Sequence, residues 1–323
     1  MFRPIPAALC VLSTLVSVSL AGVSFEEKPD RVTVKINGSL FTEYRHGDAT
    51  HVYYYPLIGP GGAKMTRSFP MEKVEGEQTD HPHHRSLWFS HGFVNGVDFW
   101  SEAATFGAKT PKNPVGKTEH VKVLAMEPGE KSGVLKTSQK WVMPDGAVAL
   151  TSVQLLRVHA GSESERMLDF EVMLTAGDND AVFGETKEGS AALRIAESMR
   201  TKQPKAPGEG HILSSEGQKD TAVWGQHAKW VTMAGPIAGK PYAITFMDHP
   251  SNLRHPTRWH ARDYGLFAAN PFCEYEMDKT KPKGSGDYTL KAGQSIALKY
   301  RILITQGDEN AARQNERYAE FAK

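Results

Sequence analysis

The chain has 323 residues, of which 40% are hydrophobic and 23% charged, with a net charge of +1. Charge this near balance supplies no basic field for nucleic acid and no acidic solvating tail, and leaves a small-molecule or oligosaccharide ligand as the expected partner. The length accommodates one large β-rich domain with a sizeable core.

Met1 to Ala21 reads as a secretory leader: Arg3 is the positive start, Ala7 to Leu20 the apolar run, and Ser19-Leu20-Ala21 places small residues at the cleavage positions. The apolar run is shorter than the ~20 residues of a spanning helix, and no later stretch reaches that length. The expectation is a cleaved signal over 1–21, one β-sandwich domain over 22–323, no membrane span, and a periplasmic or secreted product. Without the leader Cys273 is the only cysteine, so no internal disulfide can form and the core must supply the stability.

Val32, Val34 and Ile36 alternate with polar residues, Asn37-Gly38 is a tight-turn signal, and Leu40, Thr42 and Tyr44 continue the alternation, which predicts a first β-hairpin. His51 to Ile58 reads as an aromatic strand stopped by Gly59-Pro60-Gly61-Gly62. From Asp80 to Trp100 the chain concentrates four of its thirteen histidines. Pro82 keeps this segment from being helical, so it is expected to start a strand, with His81 and His83 on one face and His84 on the other. Further along, Leu87, Phe89, His91 and Phe93 share a face, which makes His91 either a hydrogen-bonded core histidine or part of a site.

Residues 101–118 read as a long surface loop. Alternating runs at Val121–Met126, Val134–Val142, Ala147–His159 and Met167–Thr175 then predict an antiparallel meander. Phe183–Gly189 is a turn into Ala191, Leu193 and Ile195, with Arg194 on the opposite face. Residues 201–210 form a Pro/Gly/Lys loop. Further strands follow at Trp230–Ala234, Tyr242–Asp248, Tyr264–Asn270 and Ser295–Thr305, and Asp308–Phe321 is the one predicted helix, with Asp308 as its cap. The fold class expected is mostly β: a large antiparallel β-sandwich with a C-terminal helix.

A second concentration of His, Arg and Trp runs from Asp248 to Gly265 and contains three more histidines. Two X-Pro steps make it an extended, turning loop of the kind on which sheet proteins place chemistry. Tyr242, Ile244, Phe246 and Asp248 share a strand face, so the Asp248 carboxylate closes an apolar row, where it is either desolvated or paired with Arg254, Arg258 or Arg262.

Three blocks occur in order: DHPHHRSLWF with VNGVDFW over Asp80–Trp100, GETKEG over Gly184–Gly189, and DHPSN…HPTRWH-R-YGLFAANPF over Asp248–Phe272. Through them, and over roughly Tyr53 to Thr305, the chain resembles the exported bacterial proteins called the PmoA family, or methane oxygenase PmoA. That name implies copper-dependent methane oxidation in a membrane, from which this chain departs in having no spanning stretch beyond its leader. The resemblance implies instead a galactose-mutarotase-like supersandwich, a fold of aldose epimerases, polysaccharide lyases, glycoside hydrolases and sugar binders.

The first functional expectation is a carbohydrate-active enzyme, an epimerase, lyase or hydrolase, working by acid–base chemistry and needing no cofactor. In it His83 or His260 exchanges a proton with the ring or leaving oxygen, and Glu185 or Asp248 does the converse. Trp88, Trp100 or Trp259 holds the sugar face, and Arg85, Arg194, Arg254 and Arg262 orient hydroxyls or a uronic acid carboxylate. His81, His84, His91, Asn95, Asn252, His255 and Asn270 complete the expected ligand-binding set. A second reading is a non-catalytic sugar binder using the same cleft. A third is a metalloenzyme, hydrolase or oxygenase, with a divalent metal on His81 and His83 plus His255, His260 or Asp248.

Overall fold

Residues 21–204 and 206–323 are described by a computed structural model. The leader read from Met1–Ala21 therefore lies, apart from Ala21, outside the described residues. Two eight-stranded antiparallel sheets face each other. The first runs, edge to edge, Val23–Lys28, Arg31–Ile36, Ser39–Arg45, Tyr53–Tyr54, Leu87–His91, Gly189–Arg194, Leu266–Asn270, Arg258–Trp259. The second runs His211–Ser214, Trp230–Ile237, Lys240–Asp248, Ser295–Gln306, Glu165–Ala176, Val148–Ser162, Ser132–Val142, Lys117–Glu127.

Alternation along each strand sends one set of side chains into the space between the sheets. Leu87, Phe89, Ala191, Leu193, Phe267 and Ala269 from the first sheet meet Leu156, Phe170, Ile244, Phe246, Ile302 and Ile304 from the second. Phe246 ties the layers together: its ring lies 5.6 Å from Trp259, 5.8 Å from Phe267 and 5.4 Å from Tyr300. Edge-on aromatic packing of this kind adds to the area it buries.

Three strands of the first sheet, Leu87–His91, Gly189–Arg194 and Leu266–Asn270, are buried at every residue. One of their faces is covered by the second sheet and the other by loops, so the outer face, turned away from the second sheet, is itself enclosed.

The first hairpin and the meander over 117–176 match the alternation read from the sequence. Other segments differ. The aromatic run His51–Ile58 contributes only Tyr53–Tyr54 as strand, because Pro56 lacks the N–H a ladder needs. His81–His84 is a turn closed by His84 N–H donating to the His81 carbonyl, with His81 at φ 47°, so the strand starts at Leu87. The long loop at 101–118 contains a short helix, Ala103–Phe106, and gives way to strand at Lys117. The C-terminal helix is Ala311–Phe321, and its cap is Asn310, whose side chain accepts from Arg313 N–H, rather than Asp308. Cys273 is buried, its thiol donating to the Asn270 carbonyl. Among the described residues no helix is long and apolar enough to cross a membrane.

Because Phe246 bridges both layers, Phe246→Ala is expected to cost about 3–5 kcal/mol. Urea unfolding read by tryptophan fluorescence checks it: the midpoint should fall at an unchanged slope, and a loss under 1 kcal/mol would mean the layers do not depend on this contact.

Candidate functional site

Backbone register assembles a row across the outer face of the first sheet. Tyr53 pairs with Trp88, Trp88 with Ala192, Ala192 with Ala268, and Ala268 with His260 through two backbone hydrogen bonds. Trp259 and Ala261 point into the core, so His260 and Arg262 between and beyond them point outward. The next row carries Ser86, Arg194, Leu266 and Arg262. The first histidine-rich stretch and the end of the second thus meet on one face, brought there from positions some 180 residues apart.

The turn that carries the histidines is held by Asp80. Its carboxylate accepts from Arg67 Nη1 at 2.6 Å and Arg194 Nη2 at 3.0 Å, and contacts His81 Nδ1 at 2.5 Å. Burial alone would raise this carboxyl, but the His81 hydrogen bond and the Arg194 and Arg67 charges outweigh it and hold it well below the usual range. The rings of His81, His83 and His84 pack on one another, with centroids 4.4 to 5.8 Å apart, instead of dividing between two faces. His84 stacks on Trp88 at 5.4 Å, and Trp88 lies 5.0 Å from Trp100. Arg85 forms a two-pronged pair with Glu102 at 2.5 and 2.9 Å that ties the turn to the 98–106 segment.

Hydrogen-bond partners decide the tautomers. His84 Nδ1 faces the Arg194 guanidinium, an obligate donor, so its proton sits on Nε2. His260 Nδ1 lies 3.0 Å from the Lys187 carbonyl and must donate, so its Nε2 is an unprotonated lone pair. Both Nε2 atoms, with both ring nitrogens of His51 and the Nε1 of Trp88 and Trp100, are buried without a hydrogen-bond partner among the described residues. Buried polar groups in such number call for a polar partner, ordered water or ligand. Burial, with Arg262 and Lys187 adding to it, lowers His260 to about 3, and burial lowers His51 to about 4. His83 and His84 are likewise held well below the ordinary value by burial and by neighbouring cations. All four are neutral at physiological pH.

His260 itself is 1% exposed, and the side chains whose charges act on it reach solvent. His81, Lys187, Glu188, Arg262 and Tyr264 form the rim, and Glu188 retains 34% side-chain exposure. Glu188 lies just before the strand Gly189–Arg194. Burial raises its carboxyl against the opposing charges of Lys187, His81 and Arg262. Tyr264 stacks on His81 at 5.2 Å and receives the guanidinia of Arg194 at 4.8 Å and Arg262 at 5.2 Å.

Residues 31–319 match the profile of DUF6807, described as a family of unknown function. The chain belongs to this family. No curated protein matches this DUF6807 chain. Among solved structures it has distant similarity to a galactose mutarotase related enzyme from Lactobacillus acidophilus, at 8% identity, a TM-score of 0.35, and coverage of 88% of this chain and 97% of the other. A GalM/aldose epimerase homologue from C. elegans is similar at 7% identity and a TM-score of 0.35, covering 90% and 100%. A polysaccharide lyase is similar at 12% identity and a TM-score of 0.31, where 93% of this chain spans 35% of the lyase. These likenesses assign no residue and no chemistry to the DUF6807 chain.

Several expected site residues lie elsewhere in the DUF6807 fold and are corrected here. Glu185 lies apart from the histidines, and its two oxygens accept the backbone N–H groups of Tyr275, Glu276 and Gly284. It lines a cleft of about 630 Å³ with Phe93, Lys112, Tyr275 and Lys283, where no imidazole is present. Asp248 is paired with none of the three arginines offered for it, and accepts instead from Asn252 Nδ2, His255 Nδ1 and Thr257 N–H. His255 also contacts the Tyr318 hydroxyl, and Asn252 bonds to both backbone groups of Lys299, so this cluster anchors the C-terminal helix and a strand. Arg254 donates to the carbonyls of Pro271, Gly286 and Asp287. Asn95 and Asn270 bond to neighbouring backbone, and His91 sits in the core against Phe183 and Phe272 with Nε2 donating to the Gly184 carbonyl.

No sugar can stack on Trp259, which is packed between the sheets, or on Trp88 and Trp100, which are 0% exposed. For the metal reading, the Nδ1 atoms of His81, His83 and His260 are engaged by Asp80, Thr105 and the Lys187 carbonyl, which does not bar ligation through Nε2, but among the described residues these three histidines form no group of ligand atoms within 4.8 Å of one another. Among the described residues the one group of three ligand atoms within 4.8 Å of one another is His211, Asp308 and Glu309, at the far sheet. Sequence reasoning missed His51, Glu188 and Tyr264.

Three neutral imidazoles give the fold a pH dependence of definite sign. In the unfolded chain His51, His91 and His260 take up protons below about 6.5, whereas in the fold His51 and His91 wait until about 4 and His260 until about 3. Between those values the unfolded state binds more protons, so stability falls as pH drops from 6.5 toward 4, by on the order of 3 kcal/mol per histidine. The melting temperature measured from pH 7 to 4 should fall steadily, and His51→Leu should flatten the slope. A melting temperature constant over that range would show that these rings are not held neutral by the fold.

Proposed function

We propose that this chain is an exported carbohydrate-active enzyme that works by proton transfer at the rim around His260. The observation that carries this reading is the buried, unpartnered Nε2 lone pair of His260, whose Nδ1–H is held by the carbonyl of Lys187, the residue before the raised carboxyl of Glu188. A group lowered to about 3 is a poor proton carrier near neutrality, whereas a carboxyl moved upward approaches the working pH. The roles therefore divide. Glu188 exchanges the proton with the ring or leaving oxygen of the sugar, and His260 Nε2 accepts a hydrogen bond from a sugar hydroxyl and fixes its position. Because Nδ1–H of His260 is bound to the Lys187 carbonyl, the segment that orients the imidazole also carries Glu188. Arg262 and Lys187 supply positive charge for the Glu188 carboxylate that forms as its proton passes to the sugar oxygen.

Turnover on a panel of mono- and oligosaccharides tests the reading. Glu188→Gln should lower turnover about 10²–10⁴-fold with sugar affinity retained, and the pH–rate profile should lose its acidic limb. His260→Gln should raise KM more than it lowers kcat. Binding without turnover in the wild-type protein would establish a sugar binder in place of an enzyme, and unchanged rates in Glu188→Gln would remove Glu188 from the chemistry.

A further inference from the structure

Five of the six tryptophans, Trp88, Trp100, Trp141, Trp230 and Trp259, are at most 1% exposed. Trp224 is the sixth, and it is only half-buried. With Thr221, Ala261, Arg262 and Asp263 it lines a cleft of about 220 Å³. Its Nε1–H is buried and has no hydrogen-bond partner among the described residues, although its ring borders open space. Arg262 is similarly uncommitted: among the described residues its guanidinium forms no ion pair, whereas Arg67, Arg85 and Arg194 on the same face are each paired to a carboxylate.

We infer that this cleft holds one sugar unit beside the reacting one, so that the ligand is an oligosaccharide chain and not a free monosaccharide. The inference rests on the proton-transfer reading for the position of the reacting unit. An indole presents a broad apolar face suited to the C–H face of a pyranose, with one donor at its edge for a hydroxyl. A guanidinium offers paired donors and a carboxylate paired acceptors, and neighbouring sugar hydroxyls, which both donate and accept, can satisfy the two at once. Arg262 and Asp263 supply these groups in one cleft. The net charge of that pair is zero, which suits hydroxyls better than a phosphate or a lone carboxylate.

Arg262 also links the cleft to the rim. Its charge acts on both His260 and Glu188, and it lies in the row next to that of His260 on the same outer face. Two residues of backbone therefore separate the group that fixes the reacting sugar from the group that lines the adjoining cleft, a distance in keeping with consecutive units of one chain.

The solvent access of Trp224 makes the idea measurable on the intact protein. Iodide quenching of tryptophan fluorescence should report mainly Trp224, and a sugar chain should protect it. Calorimetric titration with gluco-, galacto- and uronate-type saccharides of one to four units should show affinity rising about tenfold on lengthening beyond one unit. Trp224→Ala should abolish that rise, Trp224→Phe should keep most of it, and Asp263→Asn should weaken it without touching the indole. Equal affinity for one unit and for chains, undiminished quenching in the presence of a bound chain, or an intact length dependence in Trp224→Ala would each overturn the subsite. A length dependence without Glu188-dependent turnover keeps the subsite and removes the catalytic reading. Glu188-dependent turnover without a length dependence does the reverse.

Discussion

One carboxylate organises the outer face of the first sheet. Asp80 receives Arg67 from the segment after Tyr53–Tyr54, Arg194 from a central strand, and His81 from the turn it begins. Arg67 and Arg194 are fully buried, and a buried guanidinium without a partner is among the costliest features a fold can contain. Asp80 joins the two, with Glu197 at 3.8 Å giving Arg194 further compensation. The turn 81–86 is thereby drawn down over the sheet, where His84 lies on Trp88 and Arg85 reaches Glu102. Had the turn been free to stand away, the outer face would be an exposed aromatic patch of Tyr53, Tyr55, Trp88 and Trp100.

Enclosing that face determines the protonation of everything beneath it. Histidines that would titrate near 6.5 in water are kept neutral, and their hydrogen-bonding roles are then set by the partner each already has: a cation for His84, a carbonyl for His260. Donors consequently gather beside Trp88 and Trp100, and the acceptor sits at the rim three strands away. The carboxyl of Glu188 feels the same burial with opposite effect, since desolvation disfavours charge whichever sign it has. A neutral imidazole and a raised carboxyl thus both follow from desolvation, nearly complete for His260 and partial for Glu188.

The second histidine-rich stretch shows how proximity in sequence can mislead. Asp248, Asn252, His255 and Thr257 close on one another as a local knot that anchors the C-terminal helix through Tyr318, while His260, Arg262 and Tyr264, a few residues on, cross to the first sheet and join the rim. Composition is the same on both sides of Arg258, so composition could not divide them. The division is made by the strand Arg258–Trp259, which pairs with Leu266–Asn270 and carries the chain from one sheet to the other. In the GETKEG turn the outcome was similar: Glu185 lies over a helix start whose N–H groups need an acceptor, whereas Glu188, one step before a strand, lies among the charges of Lys187, His81 and Arg262.

What the amino-acid sequence determined by itself was what depends on neighbours along the chain. Period-two alternation identified the first hairpin and the long strands of the meander, though not Val23–Lys28, His211–Ser214 or Arg258–Trp259; Asn37-Gly38 gave the first turn, the final amphipathic run the helix, and the alternation across Ala191, Leu193 and Arg194 which side chains leave the core. The sandwich followed because alternation on this scale leaves one apolar face per strand to be buried. Tertiary structure alone decided which histidines, carboxylates and tryptophans share a face, because strand register joins Trp88 to Ala192, Ala268 and His260 across long sequence separations. It also decided which polar groups remain unspent. Whether a carboxylate is a proton carrier or a structural acceptor depends on the N–H groups folded against it, and whether a tryptophan can meet a sugar depends on what the loops have already covered, so Glu188 and Trp224 became distinct from Glu185 and Trp259 only when the chain had closed.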